Sequence, residues 1–457
     1  MSSDRPEVVA GSRPWPVRAA IAGALVTILV FYPGYMSNDS FTQLKQAQTG
    51  MTSDNHPVLL VFVWMASQWV AYGPFVMLLA QSALFWSGLY LLSGVVARQD
   101  TRLRLLTIAI GFFPPVAGLL GTIWKDIWLT GFLLWAAYFA ARFVEERTWP
   151  TALGAAVSAL MAVSMRHNGV AAIVPLTIAV AATALRPAIG GWRPILRNLS
   201  QIFVGTLLAL ALFGISTIFA SAVADTKGYF WQVLADYDLA AISVRTDNLV
   251  VPSTRLKEGA GLDEVTNVYT ERSLLPLYRP LCEENTSECQ PVFRRSTSSI
   301  ELHKLRSTWI REIAANPGIY LAHRWDVFSE VIGATDNPVW APYYTQRYAQ
   351  DLEIATPASP FNNAVGRIMA RLSTTPIYWV WLYGLVLIAV AGLTVVRLSQ
   401  KRSSRASFIT MMVAMSGLLY LASYLPLAPS PDFRYSHWTI LSSLVALASM
   451  KTWHEST

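Results

Sequence analysis

The stretch Met36-Ser-Asn-Asp-Ser-Phe-Thr-Gln-Leu-Lys45, followed shortly by Ser53-Asp-Asn-His-Pro57, separates two apolar segments near the start of the chain. It carries two carboxylates, Asp39 and Asp54, and a histidine, His56, directly before a proline. Ionisable groups at the edge of a bilayer are costly to place and are usually functional. The sequence therefore predicts that membrane helices position this first loop, and with it a candidate site, on one side of a membrane.

The composition of the chain is that of a membrane protein. Of its 457 residues, 53% are hydrophobic and only 14% are charged, whereas a soluble protein carries about 25% charged residues. Apolar runs of roughly 17–25 residues recur along the chain, which predicts an all-α polytopic membrane protein. Most Lys and Arg residues fall in short loops, so the net charge of +7 indicates topology and not a nucleic-acid partner.

Hydrophobic runs and the bias of Lys and Arg toward one side together predict about ten spans. The first run has no cleavage site after it and is interpreted as an uncleaved span in the plasma (inner) membrane, with a cytoplasmic N-terminus. The run 57–72 could cross the membrane, but its short length, its aromatic residues and the charge rule favour a juxtamembrane helix. The spans are expected at about 17–35, 74–97, 105–123, 127–143, 151–165, 170–185, 200–222, 377–396, 407–425 and 437–450.

A polar region at 224–375 interrupts the apolar pattern and predicts an extracytoplasmic domain, α or α+β, with a helix at about 298–315. Both cysteines of the chain, Cys282 and Cys289, lie in this region. Outside the cytoplasm they would form a disulfide, and two unpaired thiols are the alternative. The predicted units are a cytoplasmic tail, an N-terminal membrane module that contains the catalytic loop 36–57, the polar domain and a C-terminal membrane module, at 1–16, 17–223, 224–375 and 376–457.

Five polar clusters fall at span ends on the outer side of this topology. Carboxylates can act as general bases or orient hydroxyls, while Lys and Arg bind phosphate, Arg through paired hydrogen bonds and Lys as a point charge. The clusters together predict an outer site that combines acids with phosphate-binding cations. They are Asp39, Asp54 with His56, Lys125 with Asp126, Arg166 with His167 and Asn168, and Asp432 with Arg434, Tyr435 and His437.

Each cluster also has a structural interpretation. Asp39 could cap a helix, and His56 could mark the start of one. Lys125 and Arg166 could extend toward the interface without binding a ligand. The acid near Arg434 could form only a structural ion pair with it. The shared sidedness of the clusters favours the functional interpretation.

The first loop resembles a known family. Asp39-Ser40 after the first span and His56-Pro57-Val58-Leu59 at the next apolar segment are similar to motifs of the GT-C superfamily of integral membrane glycosyltransferases. The nearest pattern is that of protein O-mannosyltransferases and lipid A aminoarabinose transferases (family 39-like), which have Asp-Glu and His-Pro-Pro-Leu there. The resemblance implies a sugar donor carried on a polyprenyl phosphate, with Asp39 at the position of the catalytic acid.

We therefore expect a glycosyltransferase that moves a hexose or pentose to a glycan, lipid or protein acceptor at the extracytoplasmic face, with membrane lipids as its surroundings. The need for a divalent cation stays open. The alternatives are an O-antigen-type polymerase or ligase and a transporter or flippase of lipid-linked sugars, of which the transporter is disfavoured because the sequence lacks internal repeats. The expected catalytic residues are Asp39 and Asp54, and the expected substrate- and phosphate-binding residues are His56, Lys125, Asp126, Arg166, His167, Asn168, Asp432, Arg434 and Tyr435.

Overall fold

The computed structural model describes residues 14–98, 100–279, 290–335, 360–400 and 404–454. Within these ranges the regular secondary structure is helical and there is no strand, which confirms the all-α prediction. The α-helices are α1 (Trp15–Phe31), α2 (Asn38–Thr49), α3 (Val58–Val70), α4 (Phe75–Ala97), α5 (Thr101–Ala109), α6 (Pro114–Ala117), α7 (Lys125–Glu146), α8 (Trp149–Met165), α9 (Gly169–Ile189), α10 (Pro194–Val223), α11 (Trp231–Thr246), α12 (Leu262–Val268), α13 (Ser299–Ala315), α14 (Pro317–Val331), α15 (Pro360–Leu372), α16 (Val380–Ser399), α17 (Arg405–Leu427) and α18 (His437–Met450).

Six helices in the described ranges, α4, α7, α9, α10, α16 and α17, are long and apolar enough to cross a membrane. At 1.5 Å per residue each reaches about 30 Å or more, the thickness of a bilayer core. The apolar helices α1, α3 and α8 are shorter. With 13 residues, α3 is only about 20 Å long, and its predicted place along the membrane surface stays a prediction, as do the count of ten spans and their orientation.

The predicted span at about 105–123 is wrong as a single helix. α5 ends well before the predicted end, and α6 is a single turn. Proline has no N–H to donate and restricts the residue before it, so Phe113 is extended (φ −60°, ψ 126°) and Pro114 starts a new turn. The chain beyond α6 continues in turns over residues 118–121, and an isolated parallel bridge then joins Thr122 to Tyr35 at the edge of the first loop.

The bundle is centred on α7, which packs against α4, α8 and α9 and is buried along most of its length. Small residues such as Ala136 and Ala140 let neighbouring helices approach closely. Gly88 of α4 lies so near to α7 that an added Cβ would be 2.8 Å from the Cβ of Leu134. This close packing fixes the N-terminus of α7, which carries the predicted site residue Asp126.

The described part of the polar region is helical too. α13 confirms the helix predicted at about 298–315, and α11 is buried between α12, α13 and α14. Two buried carboxylates on α11 are paired with arginines. Asp236 accepts hydrogen bonds from Nε and Nη2 of Arg255 at 3.1 and 2.5 Å, and Oδ1 of Asp238 lies 2.6 Å from Nη2 of Arg324. Because breaking a buried ion pair is costly, these pairs fix α11 against α14 and against the short segment that precedes α12.

The polar region is also joined to the membrane bundle. α14 packs against α17, and Nη1 of Arg324 donates a hydrogen bond to the carbonyl of Ala428 at 3.0 Å. The region therefore supports the loop between α17 and α18. That 224–375 folds as a domain of its own stays a prediction, and the predicted disulfide between Cys282 and Cys289 lies outside the described residues.

Candidate functional site

Most of the first loop folds into α2, whose N-terminus is attached to the start of α7. Ser37 and Ser40 form a capping box, in which each hydroxyl accepts a hydrogen bond from the backbone N–H of the other. Oγ of Ser40 donates to the carbonyl of Ile123 at 2.7 Å, and Nε1 of Trp124 donates to Oγ of Ser37 at 2.7 Å. Ser37 is thus the cap of α2, so the interpretation of Asp39 as only a helix cap is wrong.

Arg434 is at the centre of the site. Its Nη1 donates to Oδ2 of Asp39 at 2.8 Å, and its Nε lies 2.8 Å from Oδ2 of Asp432. A third acid, Asp126, has its Oδ2 3.6 Å from the same Nε. The guanidinium carbon also lies 4.9 Å from the ring centroid of Trp124, a distance typical of a cation–π contact. One arginine therefore joins the first loop, the start of α7 and the loop before α18.

Arg166, the residue after α8, forms a second ion pair with Asp126 through Nη1. Its guanidinium carbon lies 4.1 Å from the ring centroid of Tyr435 and 5.4 Å from that of Tyr424. These two rings are stacked, with centroids 4.8 Å apart and an angle of 8° between their planes. Contact with aromatic rings uses the face of a guanidinium and leaves its N–H edge for hydrogen bonds. Arg166 is therefore held in a fixed orientation beside the acids.

Lys125 adds a third cation at the start of α7. It forms no hydrogen bond or ion pair with another residue in the described ranges. Its charge still acts on Asp39: burial raises the pKa of this carboxyl, but Arg434 and Lys125 outweigh burial and hold the pKa below its usual value. Asp39 is therefore ionised at neutral pH and surrounded by positive charge.

Two histidines lie in the same electrostatic environment. Burial and the charge of Lys125 lower the pKa of His56 to about 4, although Asp39 acts in the opposite direction. Burial and Lys125 also lower the pKa of His167, with Asp54 opposing. Both imidazoles are therefore neutral at pH 7. Nδ1 of His56 is buried without a hydrogen-bond partner in the described part of the chain, so a ligand could bind to it.

Three of the residues in the predicted clusters have contacts that hold the fold. Oδ1 of Asp54 accepts a hydrogen bond from the backbone N–H of Gly228 at 2.6 Å, which attaches the first loop to the chain after α10. Nδ2 of Asn168 donates to a serine hydroxyl of α17 at 3.4 Å. His437 is buried inside the bundle, where its Nδ1 lies 3.0 Å from Oγ1 of Thr130. Each of these contacts is sufficient to explain the residue without a catalytic role.

Two aromatic residues belong to the site although neither is among the predicted site residues. Trp124 contacts the guanidinium group of Arg434, and Tyr424 contacts that of Arg166. Their sequence positions do not distinguish them from other aromatic residues in a span or at its end. One signal was present: Tyr420 and Tyr424 are one helical turn apart on α17, and their hydroxyls lie 2.8 Å apart. The predicted residues that the structure brings together are Asp39, His56, Lys125, Asp126, Arg166, Asp432, Arg434 and Tyr435.

The three acids around Arg434 do not form a metal site by themselves. In the described ranges, no group of three or more His, Cys, Asp or Glu residues is arranged to hold a metal ion. Asp39, Asp126 and Asp432 instead converge on a guanidinium, which supplies the positive charge between them. The cluster therefore pairs carboxylates with a guanidinium group.

Comparisons with protein-family models, curated proteins and solved structures return no match for the chain. In the described part of the chain the fold is all-helical, six helices are able to cross a membrane, and a cluster of acids and cations lies at the start of α7 and the end of α8. The likeness to the GT-C superfamily, which covers the first loop, the predicted number of spans and the predicted late extracytoplasmic domain, stays a prediction from the sequence.

The low pKa of His56 predicts a loss of stability as the pH falls from about 6.5 to about 4. An imidazole in the unfolded chain takes up a proton near pH 6.5, whereas folded His56 resists protonation until about 4. His56 therefore lowers the free energy of unfolding only below about pH 6.5. The loss grows as the pH falls toward 4 and reaches about 1.4 kcal/mol per unit of pKa difference. Thermal unfolding of the purified protein at several pH values measures the effect.

His56→Gln removes this titration, so its melting temperature should fall less across the window than that of the wild type. His303→Gln, at an exposed position on α13, is the matched control and should follow the wild type. Identical pH dependence of His56→Gln and wild type would contradict the prediction.

Proposed function

We propose that the chain is a membrane glycosyltransferase of the GT-C type. It would transfer a sugar from a polyprenyl-phosphate-linked donor to a hydroxyl of an acceptor at the extracytoplasmic face. The observation that supports this most is the partly buried cluster in which the ionised carboxylate of Asp39 is surrounded by Arg434 and Lys125. Glycosyl transfer from a phosphate needs both kinds of group, a carboxylate for the attacking hydroxyl and cations for the leaving phosphate.

The cations are proposed to bind the donor phosphate, with Lys125 as the first contact because it has no ion-pair partner among the described residues. When the phosphate leaves, its charge increases, and preorganised cations in a buried site stabilise such charge by several kcal/mol, as an order of magnitude.

Asp39 is proposed to accept a hydrogen bond from the acceptor hydroxyl. Its lowered pKa makes it a weak base, so it takes the proton only once the hydroxyl oxygen has begun to bond to the anomeric carbon and has become acidic. A bond forms between this oxygen and the anomeric carbon, and the bond from that carbon to the phosphate oxygen breaks, with the electron pair leaving on the phosphate. The proton then passes from Asp39 to the leaving phosphate, whose second pKa is about 6.

The proposed topology places four parts of the chain on the outer side. They are α2, the start of α7, the end of α8 and the loop before α18. α4 ends at Ala97, directly before a basic loop assigned to the cytoplasm, and α7 begins at Lys125, at the site. The interrupted segment between them, which includes α5 and α6, would therefore cross the membrane as one of about ten crossings. The polar region 224–375 would then face the extracytoplasmic side, where α14 supports the loop that carries Arg434.

Asp39→Asn should lower kcat for sugar transfer by about 10²–10⁴-fold, because the hydroxyl loses the group that orients it and accepts its proton. The KM for the donor should change little. Release of polyprenyl phosphate measures the reaction whatever the sugar, with purified full-length protein in detergent, a panel of polyprenyl-phosphate-linked hexoses and pentoses, and cell-envelope acceptors. Asp263→Asn, at an exposed position on α12, is the matched control and should retain the wild-type rate.

Two results would overturn this assignment. Full activity of Asp39→Asn would remove the carboxylate from the mechanism and favour a polymerase or ligase that depends on the cations alone. Wild-type protein that moves the lipid-linked sugar across liposomes, yet releases no polyprenyl phosphate, would indicate a flippase.

Lys125→Gln should raise the KM for the donor by about tenfold to a hundredfold, since a hydrogen bond to a charged group contributes roughly 1.5–3 kcal/mol. Lys45→Gln, on the exposed face of α2, changes the same residue type outside the proposed phosphate site and should leave the KM unchanged. Steady-state kinetics at varied donor concentration separate the two parameters. An unchanged KM in Lys125→Gln would exclude this lysine from the phosphate site.

A further inference from the structure

A second polar site lies at the opposite end of α7. Asp126 of the candidate site and Glu145 are 19 residues apart on this helix, which corresponds to about 29 Å. There the ends of α4, α5, α7 and α17 surround a cavity of about 300 Å³. Its lining includes Tyr90, Arg98, Arg104, Arg142, Glu145 and Arg405.

Positive charge exceeds negative charge around this cavity. Glu145 forms ion pairs with Arg405 and, at 3.9 Å, with Arg98, while Glu146 pairs with Arg142. The four lining arginines therefore have only two glutamate partners, of which Glu145 alone lines the cavity, and this leaves an excess of two positive charges. An anion would complete the charge balance.

Among the four arginines that line this cavity, Arg104 is the one that forms no ion pair with an acid in the described ranges. Its guanidinium carbon lies 5.3 Å from the ring centroid of Tyr90, and its Nη2 would be 3.4 Å from a Cβ added to Gly94. Its Nε is buried and has no hydrogen-bond partner among the described residues, and the same holds for Nε of Arg405. Buried donors without an acceptor are costly. A ligand in this cavity could supply the acceptor that these two guanidinium groups lack.

We propose that this arginine cavity binds a phosphate group. The planar guanidinium matches the oxygens of a phosphate through paired hydrogen bonds, and several arginines can bind one phosphate together. The cavity lies at helix ends on the side that the charge rule assigns to the cytoplasm, where basic pockets between membrane helices bind the head groups of anionic lipids. The phosphate could thus belong to a phospholipid or to a soluble phosphate compound. This site is separate from the proposed catalytic cluster and does not depend on the proposed function.

The test uses purified full-length protein in a neutral detergent. Thermal unfolding is followed during titration with inorganic pyrophosphate in one series, and with short-chain phosphatidylglycerol or phosphatidylcholine in the other. Stabilisation by pyrophosphate indicates a soluble ligand, and stabilisation by phosphatidylglycerol but not by phosphatidylcholine indicates a lipid head group. Either result, or both together, supports phosphate binding.

Arg104→Ala should weaken binding of the stabilising probe by about tenfold or more. Arg102→Ala, at an exposed position two residues away on α5, is the matched control and should bind like the wild type. Arg98→Ala, whose exposed side chain lies at the same cavity, provides a second variant should Arg104→Ala fail to fold, and it should also weaken binding. The proposal is overturned if neither probe stabilises the wild type, or if Arg102→Ala weakens binding as much as the cavity variants.

Discussion

The ion pairs of the Arg434 guanidinium with nearby carboxylates determine how the first loop and the C-terminal part of the chain are held together. Arg434 lies close to Asp39, 395 residues earlier, and also to Asp126 and Asp432. Arg434 is largely buried, with 13% of its side chain exposed, so loss of these carboxylates would leave its charge without compensation. The first loop, the start of α7 and the loop before α18 are therefore held in one arrangement, which produces the candidate site.

Contacts outside the charged cluster position each partner of Arg434. The capping box of Ser37 and the hydrogen bond from Ser40 to the backbone before α7 place α2. Dense packing against α4 and α8 places α7, and Arg324 of the polar region holds the carbonyl of Ala428 in the loop that leads to Arg434. The same α7 carries Glu145 at its far end, so one buried helix connects the candidate site with the arginine cavity.

The sequence predicted that the residues of the site share one side, but not which acid pairs with which cation. Polar residues at span ends and the charge rule predicted that Asp39 and Arg434 share one side, and the structure places them 2.8 Å apart. Which acid binds which cation depends on helix packing, so the lack of a partner for Lys125 in the described ranges could not be predicted. Averaged hydropathy also concealed the break at Pro114, because a window of apolar residues gives the same value whether or not the helix continues.

The most direct test of this account is the energetic coupling between Asp39 and Arg434. A double-mutant cycle with Asp39→Asn, Arg434→Gln and the double variant, measured by unfolding of the purified protein, isolates their interaction from other effects. The ion pair predicts a coupling free energy of about 1 kcal/mol or more. Effects of the two substitutions that simply add, to within about 0.5 kcal/mol, would contradict it.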